Sequence, residues 1–189
     1  FKMKDNTTKS KNFEHSSSEN ENKKMNIMRN IKIEKVILNI GATADKLEKA
    51  IKLLSIITGR KPIKTKAKMR IPSLGVRPGL EIGCIVTIRK NPEEILKRLL
   101  TARENKLSKR NITENHFSFG IKEYIEIPGV DYQRDIGVMG LDVTVVFTRS
   151  GRRIALRKLK KAHIPKRQYV TKEEIIKFME EKFKTQFIR

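Results

Sequence analysis

The chain has 189 residues, enough for one large domain or one domain with tails and too few for two substantial cores. Its 43 Lys and Arg against 21 Asp and Glu leave a formal charge of +22, a self-repulsion that penalises the compact state unless a polyanion shares the surface. The single Cys84 excludes an internal disulfide and a cysteine zinc cage and points to a reducing, intracellular compartment, while the lack of an apolar h-region, or of any stretch near the ~20 apolar residues that span a bilayer, sets aside secretion and membrane insertion.

Residues 1–26 are dominated by Lys, Asn, Ser, Thr and Glu, offer too little apolar surface to offset chain entropy, and read as a disordered polar tail. Residues 27–150 carry the pattern of a compact α+β domain, and 151–189 that of a basic extension with a C-terminal helix. In the first strand Val36, Leu38 and Ile40 share one face while Lys35, Ile37 and Asn39 share the other. Gly41 ends that run. Leu47, Ala50, Ile51 and Leu54 then recur at helical spacing, with Gly59 where a helix C-terminus favours a left-handed residue.

From Ile63 to Lys68 strict alternation predicts a strand with Lys64, Lys66 and Lys68 on one side and Ile63, Thr65 and Ala67 on the other. A segment with Pro and Gly leads into the alternation of Ile82, Cys84, Val86 and Ile88 against Ile85, Thr87 and Arg89, which predicts a hairpin with a long exposed loop. Asn91, Pro92 and Glu94 predict a capping-box-like helix start before Ile95, Leu96, Leu99 and Leu100. Two more strands are expected, one over Ile121–Ile127 with Lys122, Tyr124 and Glu126 on its second face, the other carrying Leu141, Val143, Val145 and Phe147. Thr171 with Glu174 opens a last helix bearing Ile175, Ile176, Met179 and Phe183.

Two basic constellations stand out. Arg60, Lys61, Lys64, Lys66, Lys68 and Arg70 place six cations in eleven residues without an acid, and lysines at alternate strand positions lie ~6.6–6.8 Å apart, close to the spacing of phosphates. Arg152, Arg153, Arg157, Lys158, Lys160, Lys161, Lys166 and Arg167 place eight in sixteen; Gly151 and Pro165 argue against one long helix, and an arm that orders against RNA is the expected reading over a nuclear localisation signal or a plain tail. Catalytic constellations are poor. His15 lies in the tail and His163 in the arm, His116 beside Phe117 and Phe119 reads as packed or stacked, and Asp131, Asp135 and Asp142 form no acid pair. Ser73 and Ser118 have no base at hand, and no phosphate-binding loop or dinucleotide fingerprint occurs.

Five ordered blocks carry a family resemblance: KIEKVILNIG (32–41), TGRKPIKTKAK (58–68), GVRPGLEIGCIVTIR (75–89), NHFSFGIKEYIEIPGVDY (115–132) and GLDVTVVF (140–147). From about Asn30 to Phe187 the chain resembles the 5S-rRNA-binding large-subunit ribosomal protein family, called protein five in bacteria and protein eleven in eukaryotes. The continuation through 151–183 is similar to its archaeal and eukaryotic branch. The resemblance implies an α+β fold, a largely antiparallel sheet with helices packed on one face and the other face against 5S rRNA, and no enzymatic activity, cofactor or metal.

Carried over by position, the resemblance implies 5S rRNA contacts at Asn39, Thr87 and the block holding Arg60, to which the basic residues Lys35, Lys64, Lys66, Lys68 and Arg89 are added. Arg60 stands where the family usually has Gln, and arginine donates hydrogen bonds without accepting them. The loop Ser73, Leu74, Gly75, Val76, Arg77, Pro78 and Gly79 is expected to reach peptidyl-site tRNA, with Arg77 as its backbone contact. Arg152, Arg153, Arg157, Lys158, Lys160 and Lys161 are expected to bind large-subunit rRNA. Further implied partners are a neighbouring 5S-rRNA-binding ribosomal protein and a small-subunit head protein at an intersubunit bridge, with 103–111 and 133–138 as its candidate segments. The ribosome places the protein in the cytoplasm, with a nucleolar stage during assembly in a eukaryote.

Two readings from other classes compete. A nucleic-acid-processing enzyme requires a metal-binding carboxylate cluster, which the sequence does not display. An anionic-membrane binder requires a basic amphipathic helix with a spare apolar face, whereas the apolar stripes here are committed to the core.

Overall fold

The computed structural model describes residues 27–188; the expected tail at 1–26 lies outside them. The strands are β1 (Ile31–Gly41), β2 (Ile63–Lys66), β3 (Glu81–Ile88), β4 (Lys106–Ser108), β5 (Ile112–Thr113), β6 (His116–Ile121), β7 (Leu141–Arg149) and β8 (Gln186–Ile188). The helices are α1 (Asp45–Thr58), α2 (Pro92–Thr101), the single turn α3 (Arg153–Leu156) and α4 (Lys172–Phe183). Six strands form one sheet in the order β2-β3-β1-β7-β6-β5, antiparallel at every junction, and β4 and β8 form a separate parallel pair. The expected α+β architecture is therefore present.

The sheet has one dry face. Val36, Leu38, Val86, Ile88, Val143, Val145, Phe147 and Phe117 point from it into a single core shared with Leu53 and Leu54 of α1, Leu96 and Leu99 of α2, and Ile175 and Met179 of α4. A bulge between Ile33 and Lys35 lets Ile33 and Val36 reach the same face although three positions separate them. Aromatic rings bind the sheet to the last helix: Phe117 stacks on Phe147 at 5.7 Å, and Phe147 meets Phe178 edge-on at 5.7 Å.

Local chemistry explains most helix boundaries. α1 ends where Gly59 takes a left-handed φ of 63° and donates its N–H to Ser55 O. At α4 the Glu174 N–H reaches Thr171 Oγ1 and the Thr171 N–H reaches Glu174 Oε2, closing the expected capping box. No such box forms at α2. Asn91 there is left-handed (φ 48°, ψ 52°) and its side chain caps nothing, because an N-cap side chain reaches the first-turn amides only from extended backbone; Pro92 alone marks the start.

Three other expectations are corrected. The strand predicted over Ile121–Ile127 ends at Ile121, and Tyr124–Glu126 form a 3-10 turn. The buried positions are Ile121, Tyr124, Ile127 and Val130, a spacing of three that suits a tight helical turn and defeats the alternation read from the sequence. The β2 strand ends at Lys66, short of Lys68. His116 is neither packed nor stacked: it is exposed, with one ring nitrogen 2.9 Å from Thr113 Oγ1 and the other 3.1 Å from Glu114 O.

Close packing of backbone against backbone fixes the corner between β1, β2 and β3. A Cβ on Gly83 would lie 2.7 Å from Ile40 O and 3.1 Å from Thr65 Oγ1, so even a methyl group must push strands apart. Gly83→Ala is expected to cost about 1–3 kcal/mol of stability, measured by urea denaturation; an unchanged midpoint would show that this corner yields freely.

Candidate nucleic-acid interface

With helices α1, α2 and α4 and the core on one side, the opposite face of the sheet is open except at its Val146–Thr148 end, where the segment after β7 comes over it. Register assigns its occupants. Asn39 lies between Ile85 of β3 and Asp142 of β7, Ile37 lies between Thr87 and Thr144, and Ser118 of β6 lies across from Thr144. Thr65 of β2 joins them through its pairing with Gly83. The surface is thus built of hydroxyls, one amide, one carboxylate and short apolar side chains. None of the side-chain polar atoms of Asn39, Thr65, Thr87, Ser118, Asp142 or Thr144 is used in a hydrogen bond or ion pair among the described residues. Their donors and acceptors remain available to a ligand lying on the sheet.

Cations stand at one margin of this face. One step beyond the Val36–Ile88 pair, Lys35 on β1 comes alongside Arg89, which is exposed just past β3. Arg60, half-buried after α1, donates from Nη1 to the Thr87 carbonyl at 3.5 Å, so its guanidinium lies next to the expected Thr87 contact. The loop after α1 and the end of β3 thereby bring together residues 27 positions apart.

The lysines of β2 fall elsewhere. Lys64 pairs with Cys84, whose side chain is fully buried beneath the helices, so Lys64 belongs to the helix side of the sheet at its edge, opposite Asn39 and Thr87. There it meets Glu81 at 2.8 Å. The hydrogen bond and charge of Glu81, with a further contribution from Glu48 of α1, raise the Lys64 pKa above its ordinary value. Lys66 pairs directly with Glu81 after a register shift. The single surface expected for Lys64, Lys66, Asn39 and Thr87 is therefore split between two faces, and Ile63 and Thr65 are what β2 turns toward the open one. Lys68 is exposed beyond the strand end.

The β2–β3 hairpin has structure of its own. Ile71 and Val76 form an antiparallel bridge, Gly79 N–H donates to Ala67 O, and Ala67 and Val76 are buried. Gly75 is left-handed at φ 66° and ends the 3-10 turn Pro72–Leu74, while Ser73, Arg77, Pro78 and Gly79 are exposed. Glu81 is the first residue of β3.

The basic segment after β7 folds back on the domain. Arg152 pairs with Glu34, Gln168 Nε2 donates to Ser150 O at 3.0 Å, and Arg157 Nε donates to Lys160 O at 2.7 Å. Arg153, Arg157, Lys158, Lys160 and Lys161 are exposed and Arg152 is half-buried. The segment is anchored by Arg149, which the sequence reading passes over. Its side chain is 7% exposed; Nη2 donates to Glu174 Oε1 at 2.5 Å and Nη1 to Arg167 O at 3.4 Å. A signal is present in the sequence, since Arg149 continues the buried series Leu141, Val143, Val145 and Phe147. The same alternation in GLDVTVVF sets Asp142 and Thr144 on the open face.

The described residues bring no three His, Cys, Asp or Glu side chains together as a metal site would require. Cys84 is buried, and desolvation pushes its thiol up to about 11, so it carries no thiolate at neutral pH. No helix among the described residues is long and apolar enough to cross a membrane.

Comparison with known proteins gives this surface its context. Residues 26–77 match the family profile described as ribosomal protein L5, and residues 81–178 match the profile for the C-terminus of the same ribosomal family. The chain is 45% identical over 165 residues to the large ribosomal subunit protein uL5 of Nanoarchaeum equitans, covering 85% of this chain and 98% of that protein. It is 44% identical to the uL5 of Archaeoglobus fulgidus, covering 82% and 89% respectively, and 43% identical to that of Sulfurisphaera tokodaii, covering 86% and 95%. A one-sided antiparallel sheet with free polar groups and cationic margins, in a chain with these relatives, defines a non-enzymatic RNA-binding component of the large ribosomal subunit that serves translation. The chain belongs to the ribosomal protein L5 family.

Proposed function

We propose that the open face of the sheet binds 5S rRNA, with Asn39 and Thr87 hydrogen-bonding ribose hydroxyls, phosphate oxygens or base edges and with Lys35, Arg60 and Arg89 neutralising phosphates at its margin. The observation that carries this reading is the set of unpartnered polar side chains on the face of the sheet opposite α1, α2 and α4. A flat surface of this kind suits RNA, whose 2′-hydroxyls and splayed bases are reached by short side chains. Asp142 adds an acceptor-only group beside Asn39, suited to a ribose hydroxyl or an amino edge. Titrating 5S rRNA against the protein in a filter-binding assay, with Asn39→Ala and Thr87→Val as the diagnostic changes, tests the assignment.

The remaining contacts divide by element. In this reading the exposed cations Arg153, Arg157, Lys158, Lys160 and Lys161 of the folded-back segment contact large-subunit rRNA. The 133–138 loop, where Val138 is exposed, and 103–111 are offered to a small-subunit head protein, and the flank of the 5S rRNA site to a neighbouring 5S-rRNA-binding ribosomal protein. The β2–β3 hairpin tip carries Arg77 toward peptidyl-site tRNA. Because the tip is held by its own bridge and, among its described side chains, only Ala67 and Val76 are buried, replacing 71–77 by a two-residue turn is expected to leave 5S rRNA affinity within about twofold. Peptidyl-site tRNA retention on reconstituted ribosomes is expected to fall. Loss of 5S rRNA affinity in the shortened protein would instead assign the hairpin to the 5S rRNA surface.

A further inference from the structure

Where β6 begins at His116 and β7 runs on past it, the basic segment closes over the end of the open face and leaves a cavity of about 560 Å³, within the ~300–1,000 Å³ typical of small-ligand sites. Val146 and Thr148 of β7 line it together with Ala155, Leu156 and Ile164 of the segment. Arg149, Arg152 and Lys161 also line it, together with Tyr169 and a single acid, Glu114. Apolar walls, one phenol ring and an excess of cations make an environment for a flat, polar-edged, negatively charged group.

A second and independent observation points the same way. Arg149 is more than nine-tenths buried, and although its two terminal nitrogens are bonded to Glu174 and Arg167, its Nε–H meets no acceptor. Buried donors are almost always satisfied, and arginine only donates, so this side of the cavity carries more donors than acceptors. Leu156 stands at the mouth of the cavity 66% exposed, an apolar platform of the kind on which unstacked bases rest.

We propose that this cavity receives one nucleotide flipped out of ribosomal RNA, its base between Leu156 and Tyr169 and an acceptor oxygen or nitrogen on the Arg149 and Lys161 side. This rests on RNA being the partner of the open face, with which the cavity is continuous through Val146 and Thr148, and it adds a site that reads one extruded base. A folded short arm that closes over the sheet end is thereby a clamp as well as a phosphate contact.

The test uses the full chain with AMP, GMP, CMP and UMP, followed by NMR of the Tyr169 ring and by equilibrium dialysis, with ribose 5-phosphate and a short acidic peptide as the comparison probes. At least one mononucleotide is expected to bind saturably, and ribose 5-phosphate about tenfold or more weakly. Ala155→Phe, which fills the cavity, and Leu156→Glu, which sets a carboxylate at its mouth, are each expected to abolish that binding with unchanged circular dichroism, while Asn39→Ala leaves it intact. Equal binding of ribose 5-phosphate, preferential binding of the peptide, or mononucleotide binding indifferent to both cavity variants would overturn the proposal. Absence of mononucleotide binding in a chain that still binds 5S rRNA would remove the cavity site alone; loss of 5S rRNA binding with mononucleotide binding retained would remove the open-face reading alone.

Discussion

Asn39→Ala and Thr87→Val are each expected to weaken 5S rRNA binding by about 1–3 kcal/mol, roughly five- to 150-fold, and to leave the fold unchanged. Both residues are half-buried on the open face, and neither side chain makes a hydrogen bond within the described protein, so their removal costs no internal interaction. Each replacement keeps the backbone pairing of its strand. The two positions sit on neighbouring strands two residues out of register, Asn39 opposite Ile85 and Thr87 opposite Ile37; the combined change is therefore expected to depart from simple additivity where one ribose bridges both. Filter binding on each variant, beside urea denaturation, separates the RNA effect from stability. A full loss of affinity with a lowered midpoint would assign these residues to folding instead.

The largest stability effect is expected at the ion pair that holds the last helix and the basic segment to the sheet. Glu174→Gln keeps an oxygen for the Thr171 N–H but removes the counter-charge of Arg149, leaving a guanidinium 7% exposed without compensation. Breaking a buried pair from one side costs about 3–5 kcal/mol; because Glu174 is 39% exposed, about 2–3 kcal/mol is expected here. Adding Arg149→Met should restore part of that loss, since no unpaired charge then remains.

The pH dependence has a definite sign. Burial pushes the Glu174 carboxyl up, but the Thr171 N–H and the Arg149 guanidinium outweigh it and hold the folded pKa below 4.5. The stabilisation is therefore complete above pH 4.5 and is lost as pH falls through the folded value. Urea denaturation of wild type and Glu174→Gln should differ at neutral pH and converge in acid. Equal stability at neutral pH would show that the pair contributes nothing.

Legibility in the sequence follows periodicity. Helices α1 and α4 and the inward faces of β1, β3 and β7 can be read directly, because their apolar residues repeat at spacings tied to one geometry: Leu47, Ala50 and Leu54 in a helix, Val36, Leu38 and Ile40 in a strand. The Tyr124 turn escapes such a reading because Ile121, Ile125 and Ile127 imitate alternation; the buried tyrosine, bonded through its N–H to Met139 O, sets the true period. Asn91 has the composition of an N-cap without the backbone angles.

For the interface, alternation on β1 and β3 gives the outward direction of Asn39 and Thr87 but not which strands lie beside them. Assigning the lysines of β2 to the same surface fails because parity within a strand says nothing about which face the neighbouring sheet buries. Only the Lys64–Cys84 pairing decides it. Arg149 is hidden for a related reason: a charge inside an apolar series is buried only where a distant partner, here Glu174, is brought to it.

On the proposed function, the open face of the sheet lies on 5S rRNA. A density map of the large ribosomal subunit containing this chain tests it most directly. It should show 5S rRNA against Asn39, Thr87 and Asp142, with Lys64 and Glu81 turned away from that contact. A map with 5S rRNA against α1 and the Lys64 edge, and the open face in solvent or against protein, would contradict it.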